Sequence, residues 1–105
     1  MTEKFTILVV DDHANNRFTL RALLSRLPDC EVLEADSGEA ALLCTLEHAV
    51  HLVLLDVQMP GMDGFETARH LQMTERTRHI AIVFVTAVFK AEEFVARGYG
   101  LGAVD

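Results

Sequence analysis

Three stretches of the chain are apolar at nearly every position instead of at alternate ones: FTILVV (5–10), HLVLL (51–55) and HIAIVFVT (79–86). A strand with one wet face alternates apolar and polar residues, so an unbroken run needs cover on both faces. Between the runs lie segments at helical spacing. The first spans about Ala14 to Leu27, with Asn16, Leu20, Leu23, Leu24 and Leu27 on one face and Pro28 as its stop. EVLEA (31–35) reads as a short strand, and Ser37 caps a helix to about His48 with Ala40, Leu43 and Cys44 inward. Asp63, with Glu66 three residues on, starts a third helix that runs to about Met73. A last helix covers roughly Ala91 to Arg97 and ends at Gly98; LGAVD (101–105) reads as the approach to a fifth strand. Alternating strands and helices, with strands covered twice, mean an α/β fold: a parallel sheet with helices on both faces.

A length of 105 residues predicts one domain, 1–105. Half of the residues are hydrophobic, which favours a folded core over a disordered tail. No apolar run reaches the roughly 20 residues of a membrane span, and the start, Met-Thr-Glu-Lys-Phe, has no export signal, so a cytoplasmic address is expected. The net charge of −7 repels nucleic acid phosphates, which excludes direct DNA binding as an expectation. Cys30 and Cys44 form no Cys-x-x-Cys pattern and are read as structural or incidental.

In parallel α/β sheets, functional groups gather at the carboxyl ends of strands, near the point where strand order reverses. Here those ends are Asp11-Asp12, Asp56 and Thr86-Ala87. Acids brought together repel, and a hard divalent cation relieves that repulsion. Oxygen ligands with positions left for water suit Mg2+, and no His or Cys stands at zinc spacing. With the cation, Asp56 is a nucleophile able to accept a phosphoryl group as an aspartyl phosphate. The Thr86 hydroxyl and the Ala87 backbone N–H can donate to its oxygens. In the loop that follows Asp56, Pro60 adds stiffness and Gly61 allows unusual backbone angles. His13 is read as a surface residue, not a ligand.

These residues resemble the receiver domain of two-component response regulators. ILVVDD (7–12) looks like the first strand and acidic pair of that family, and LVLLDVQMPGMDG (52–64) like its phosphoacceptor strand and loop. VFVTA (83–87) resembles its switch strand, and RGYGLGAVD (97–105) the lead-in to its fifth strand. The resemblance implies a flavodoxin-like three-layer sandwich with strand order 2-1-3-4-5. It implies that Asp56 takes phosphate from a histidine kinase or a histidine phosphotransfer protein. Asp12, Asp56 and the Gln58 backbone carbonyl would bind Mg2+ directly, Asp11 partly through water, and Thr86 would turn toward the phosphate and carry the switch to a partner surface. It also places donor docking on the outer face of the first helix, where Asn15, Phe18 and Ala22 lie. Gln58 and Val88 occupy positions that tune phosphate lifetime in the family, and an apolar Val88 favours slow hydrolysis.

The family also places a lysine after its fifth strand. The only lysines here, Lys4 and Lys90, do not match it, and the sequence stops at Asp105. The expectation is therefore a C-terminally incomplete receiver with its last strand and helix largely missing, any output domain lying elsewhere, and the fourth strand exposed as an apolar edge. A homodimer or an output domain is a further expected partner. Two other readings compete. One is a receiver-like interaction module that takes no phosphate in this form. The other is a phosphatase of the haloacid dehalogenase type, which wants a second acid two residues after the nucleophile, where this chain has Gln58.

Overall fold

The computed structural model describes residues 4–85. Within them the elements run β1 (Phe5–Val10), α1 (Ala14–Leu24), β2 (Cys30–Ala35), α2 (Gly38–Glu47), β3 (Leu52–Asp56), α3 (Gly64–Met73) and β4 (Ala81–Val85). The four strands form one parallel sheet in the order β2-β1-β3-β4. This is the flavodoxin-like arrangement as far as the described residues reach. The last helix, LGAVD and residues Thr86, Ala87, Val88 and Lys90 lie outside them.

The apolar runs in β1 and β3 are covered on both sides, as their composition requires, whereas in β4, at the edge of the described sheet, Ala81 is exposed and residues 82–85 are half-buried. Leu8, Val10, Val53 and Leu55 face one layer, together with Ala41 of α2 and Ala68 and Leu71 of α3. Ile7 and Val9 face the other, where Leu20 and Leu24 of α1 pack with Val32, Leu52 and Leu54. Odd and even positions of β1 thus serve different cores, the period-two geometry of a strand at work in both directions. Residues 7–10 are at most 2% exposed, and β1 is one of the two inner strands of the described sheet.

Local differences from the sequence reading have physical causes. Helix α1 stops at Leu24, not Leu27. Arg26 and Leu27 instead donate to Leu23 and Leu24 in a tight three-residue turn, because a residue preceding proline is disfavoured in helical geometry. Leu27, past the helix end, stands exposed, as does Leu23 within the helix. In α2 the buried face is Gly38, Ala41 and Thr45; Ala40 and Cys44 flank it and pack on the core, but Leu43 points to solvent. β2 begins one residue earlier than expected, at Cys30, β3 runs from Leu52 to include Asp56, and β4 begins at Ala81.

Two helix starts follow the anticipated chemistry. The Ser37 side chain accepts from Ala40 N–H at 3.0 Å, and Asp63 Oδ1 accepts from Glu66 N–H at 2.8 Å, each satisfying a donor the helix cannot use internally. Replacing Ser37 by Ala should cost about 1 kcal/mol, read as a lower urea midpoint at unchanged slope. Both cysteines are free thiols. Burial, with the nearby Glu47 carboxylate adding to it, pushes the Cys44 thiol above its ordinary value. Since the thiolate is the reactive form, iodoacetamide should alkylate Cys44 several-fold more slowly in the native chain than in urea. The native rate should rise with pH throughout the alkaline range; equal rates in the two states would contradict this.

Candidate functional site

The carboxyl edge of the sheet carries the predicted acids on two adjacent strand ends, and the group whose ligand atoms lie within 4.8 Å of one another takes in Asp11, Asp12 and His13 but not Asp56. β1 and β3 are in register up to the pair Val10–Leu55, so Asp11 and Asp56 are the next residues along two adjacent parallel strands. Asp56 in turn pairs with Val85 of β4. Both acids are buried: Asp11 is 4% exposed and Asp56 2%. Burying ionisable groups is costly unless they are paired, hydrogen-bonded or bound to a cation.

Asp11 is held at every polar atom. Its N–H extends the sheet ladder to the Ala35 carbonyl at 3.1 Å. Its Oδ1 accepts from His13 N–H at 2.8 Å and its Oδ2 from Asn16 Nδ2 at 3.1 Å. Its carbonyl accepts from Arg17 Nη1 at 2.8 Å. Asp11 thereby anchors the start of α1, whose N-cap residue His13 supplies no side-chain cap of its own. Asn16, expected on the inner apolar face of the helix, is instead turned toward this carboxylate.

Asp12 is different. Its Oδ1 is shielded from solvent and accepts no hydrogen bond; His13 Nδ1 approaches it at 3.2 Å. Ligand atoms of Asp11, Asp12 and His13 lie within 4.8 Å of one another. His13 is exposed, as expected of a surface residue, yet it belongs to this group, which the sequence reading did not foresee. A shielded carboxylate oxygen beside a buried acid, with oxygen donors dominating, suits a hard divalent cation. Across the edge, Asp56 Oδ1 accepts a long bond from Gln58 N–H at 3.4 Å. An open groove is lined by His13 and by Val57, Gln58, Met59 and Pro60 of the loop that follows Asp56.

Gly61 takes a positive φ of 76° in the Met-Pro-Gly turn, as a residue without Cβ permits. On α1, Asn15, Phe18 and Ala22 are all exposed, Phe18 at 72%. Arg17 and Glu34 were not singled out from the sequence. Their contact joins residues 17 apart in the chain, and no short-range spacing signals it.

The family described as "Response regulator receiver domain" matches residues 7–105. The virulence sensor protein BvgS of Bordetella pertussis is 41% identical over 101 residues, which cover 90% of this chain and 8% of BvgS. Response regulator PleD of Caulobacter vibrioides is 44% identical over 82 residues, 78% of this chain and 18% of PleD. The chain thus spans under a fifth of the length of either relative. Among solved structures, the N-terminal domain of a response regulator receiver protein from Methanoculleus marisnigri JR1 superposes with a TM-score of 0.77 at 35% identity, covering 96% of this chain and 80% of that one. The chemotaxis protein CheY4 of Vibrio cholerae gives 0.76 at 27% identity, with 96% and 82% covered.

Proposed function

The chain belongs to the response regulator receiver domain family, and from that premise we infer that Asp56 is its phosphoacceptor. The observation that carries the assignment is the buried Asp56 carboxylate at the end of β3, one strand away from the acid pair at the end of β1. The donor is a histidine kinase or a histidine phosphotransfer protein. A carboxylate oxygen of Asp56 attacks phosphorus, the P–N bond of the donor phosphohistidine breaks, and its electron pair stays on the imidazole nitrogen, which takes a proton.

Asp12, Asp56 and the Gln58 backbone carbonyl would hold Mg2+, with Asp11 acting partly through water. The cation supplies neutralisation of the phosphoryl oxygens. The chain's own contribution is to keep the acids in place. Asp11, fixed at all its polar atoms, holds the strand end and the helix start in one arrangement, so little reorganisation accompanies the transfer. Thr86 and Ala87 follow Val85, the register partner of Asp56, and their hydroxyl and N–H are assigned to the phosphate oxygens. Asn15, Phe18 and Ala22 are assigned to donor docking: an exposed aromatic between two small or polar neighbours offers a compact apolar anchor.

The domain is a phosphate-operated switch and not a turnover enzyme. No helix among the described residues is long and apolar enough to cross a membrane, and a cytoplasmic address goes with the proposed donors. Incubation with acetyl phosphate and Mg2+, followed by intact mass, tests the reading. One labile phosphoryl adduct per chain, dependent on Mg2+, is expected. Steady hydrolysis of a phosphate ester without an adduct would favour a phosphatase, and no adduct at all an interaction module. Phe18→Ala should slow transfer from a cognate kinase several-fold while leaving the acetyl phosphate reaction unchanged. Equal kinase rates would remove Phe18 from the docking surface.

A further inference from the structure

We propose that Arg17, steadied by Glu34, is a positioning residue for the divalent-cation site. The inference rests on the receiver reading above and adds to it two residues that touch neither the cation nor the phosphate.

Arg17 lies in the first turn of α1, and its side chain is only 19% exposed. The guanidinium bridges two elements: Nη1 donates to the Asp11 carbonyl at 2.8 Å, and Nε donates to Glu34 Oε1 at 3.1 Å. Glu34 projects from β2 at the position in register with Val9. Its second oxygen accepts from Arg21 Nη1 at 2.9 Å. Arg21 spends its remaining contact on the Val32 carbonyl at 3.2 Å, away from the acids. Glu34 thus grips two arginines, and only Arg17 passes that grip to the strand end.

The carbonyl it holds belongs to the peptide joining Asp11 to Asp12. The orientation of that peptide sets the directions in which the two carboxylates leave the backbone. A guanidinium presents its donors in one rigid plane, so fixing Nε on Glu34 fixes where Nη1 points. Electrostatic repulsion acts with the opposite sign. A bare guanidinium beside a cation site would repel the cation, and its removal would tighten binding. Here the Glu34 carboxylate sits against it and cancels most of that field, so the positional effect decides.

Titration calorimetry of the chain with Mg2+ alone separates these cases without phosphorylation. Arg17→Gln should weaken Mg2+ binding about tenfold, the lower end for loss of an outer partner of a metal ligand. Glu34→Asp keeps the charge but loses the reach, and it should weaken binding in the same direction. Arg21→Gln removes an equivalent ion pair without touching Asp11 and should leave affinity within about twofold. At saturating Mg2+ the phosphoryl adduct on Arg17→Gln should return to the native level. Unchanged or tighter Mg2+ binding in Arg17→Gln overturns the proposal, as does equal weakening in Arg21→Gln. If Arg17→Gln does not fold, Glu34→Asp decides alone, and unchanged affinity there overturns it. Failure of the unaltered chain to bind Mg2+ would instead overturn the receiver reading itself.

Discussion

Asp56→Asn should abolish the phosphoryl adduct. The exchange keeps the size and shape of a side chain that is 2% exposed, so the core around Leu55 and Val57 is not asked to repack. What changes is the oxygen. A carboxylate oxygen carries the negative charge and lone pair that attack phosphorus; an amide oxygen is a far weaker nucleophile, and its acyl phosphate analogue is not a stable product. The amide also removes one negative charge from the edge where a cation is to sit, so Mg2+ affinity should fall as well. After acetyl phosphate and Mg2+, intact mass should show no adduct, a loss of at least about 100-fold, while circular dichroism stays native. A full adduct on Asp56→Asn would move the chemistry to another acid. Asp12→Asn gives the contrasting result: a slower reaction, partly recovered by raising Mg2+, because Asp12 is assigned to hold the cation and not to attack.

What the sequence revealed of this site follows from what a strand end is. ILVV (7–10) is buried and LVLL (52–55) buried or half-buried, each facing both cores, so their composition alone identified them and placed the first polar residue after each at the sheet edge. That is why Asp11 and Asp56 could be paired before any coordinates. The helices were less legible. Leu23 and Leu43 are apolar yet exposed, because a helix of 10 or 11 residues presents only one narrow stripe to a sheet, and small shifts in phase decide which leucine is in it; Leu27 is exposed past the end of α1. The hold on Asp11 was illegible for another reason. Asn16 and Arg17 looked like ordinary helix residues, and Glu34 like a polar residue of a short strand; their meeting depends on β2 lying beside β1. His13 was read as surface and is surface, but exposure does not keep its ring from the acids.

Gly64→Ala should be among the most destabilising single-atom additions in the described residues, and it should damage the site along with the fold. Gly64 opens α3, is buried, and donates its N–H to the Val57 carbonyl at 2.9 Å. A Cβ there would run into the Asp56 carbonyl oxygen, with the Asp56 carbonyl carbon and the Val57 Cα each at 2.9 Å. All three neighbours are backbone, so no rotamer change relieves the overlap; either α3 backs away or the end of β3 moves. Overpacking of this sort costs typically about 1–3 kcal/mol and sometimes more, and a backbone obstacle argues for about 3. Helix propensity works the other way, since Ala is better than Gly by about 1 kcal/mol inside a helix, but that gain is too small to reverse the sign. Gly61→Ala is the informative control. It meets nothing within 4 Å, and its penalty comes only from the φ of 76°, about 1 kcal/mol. Urea unfolding should therefore rank Gly64→Ala well below Gly61→Ala. Because the obstacle is the peptide that carries Asp56, phosphorylation of the folded fraction of Gly64→Ala should also fall, while Gly61→Ala keeps its yield once corrected for stability. Gly64→Ala with native stability would mean that α3 does not press on the strand end, and with it would go the account of how the Asp56 backbone is held.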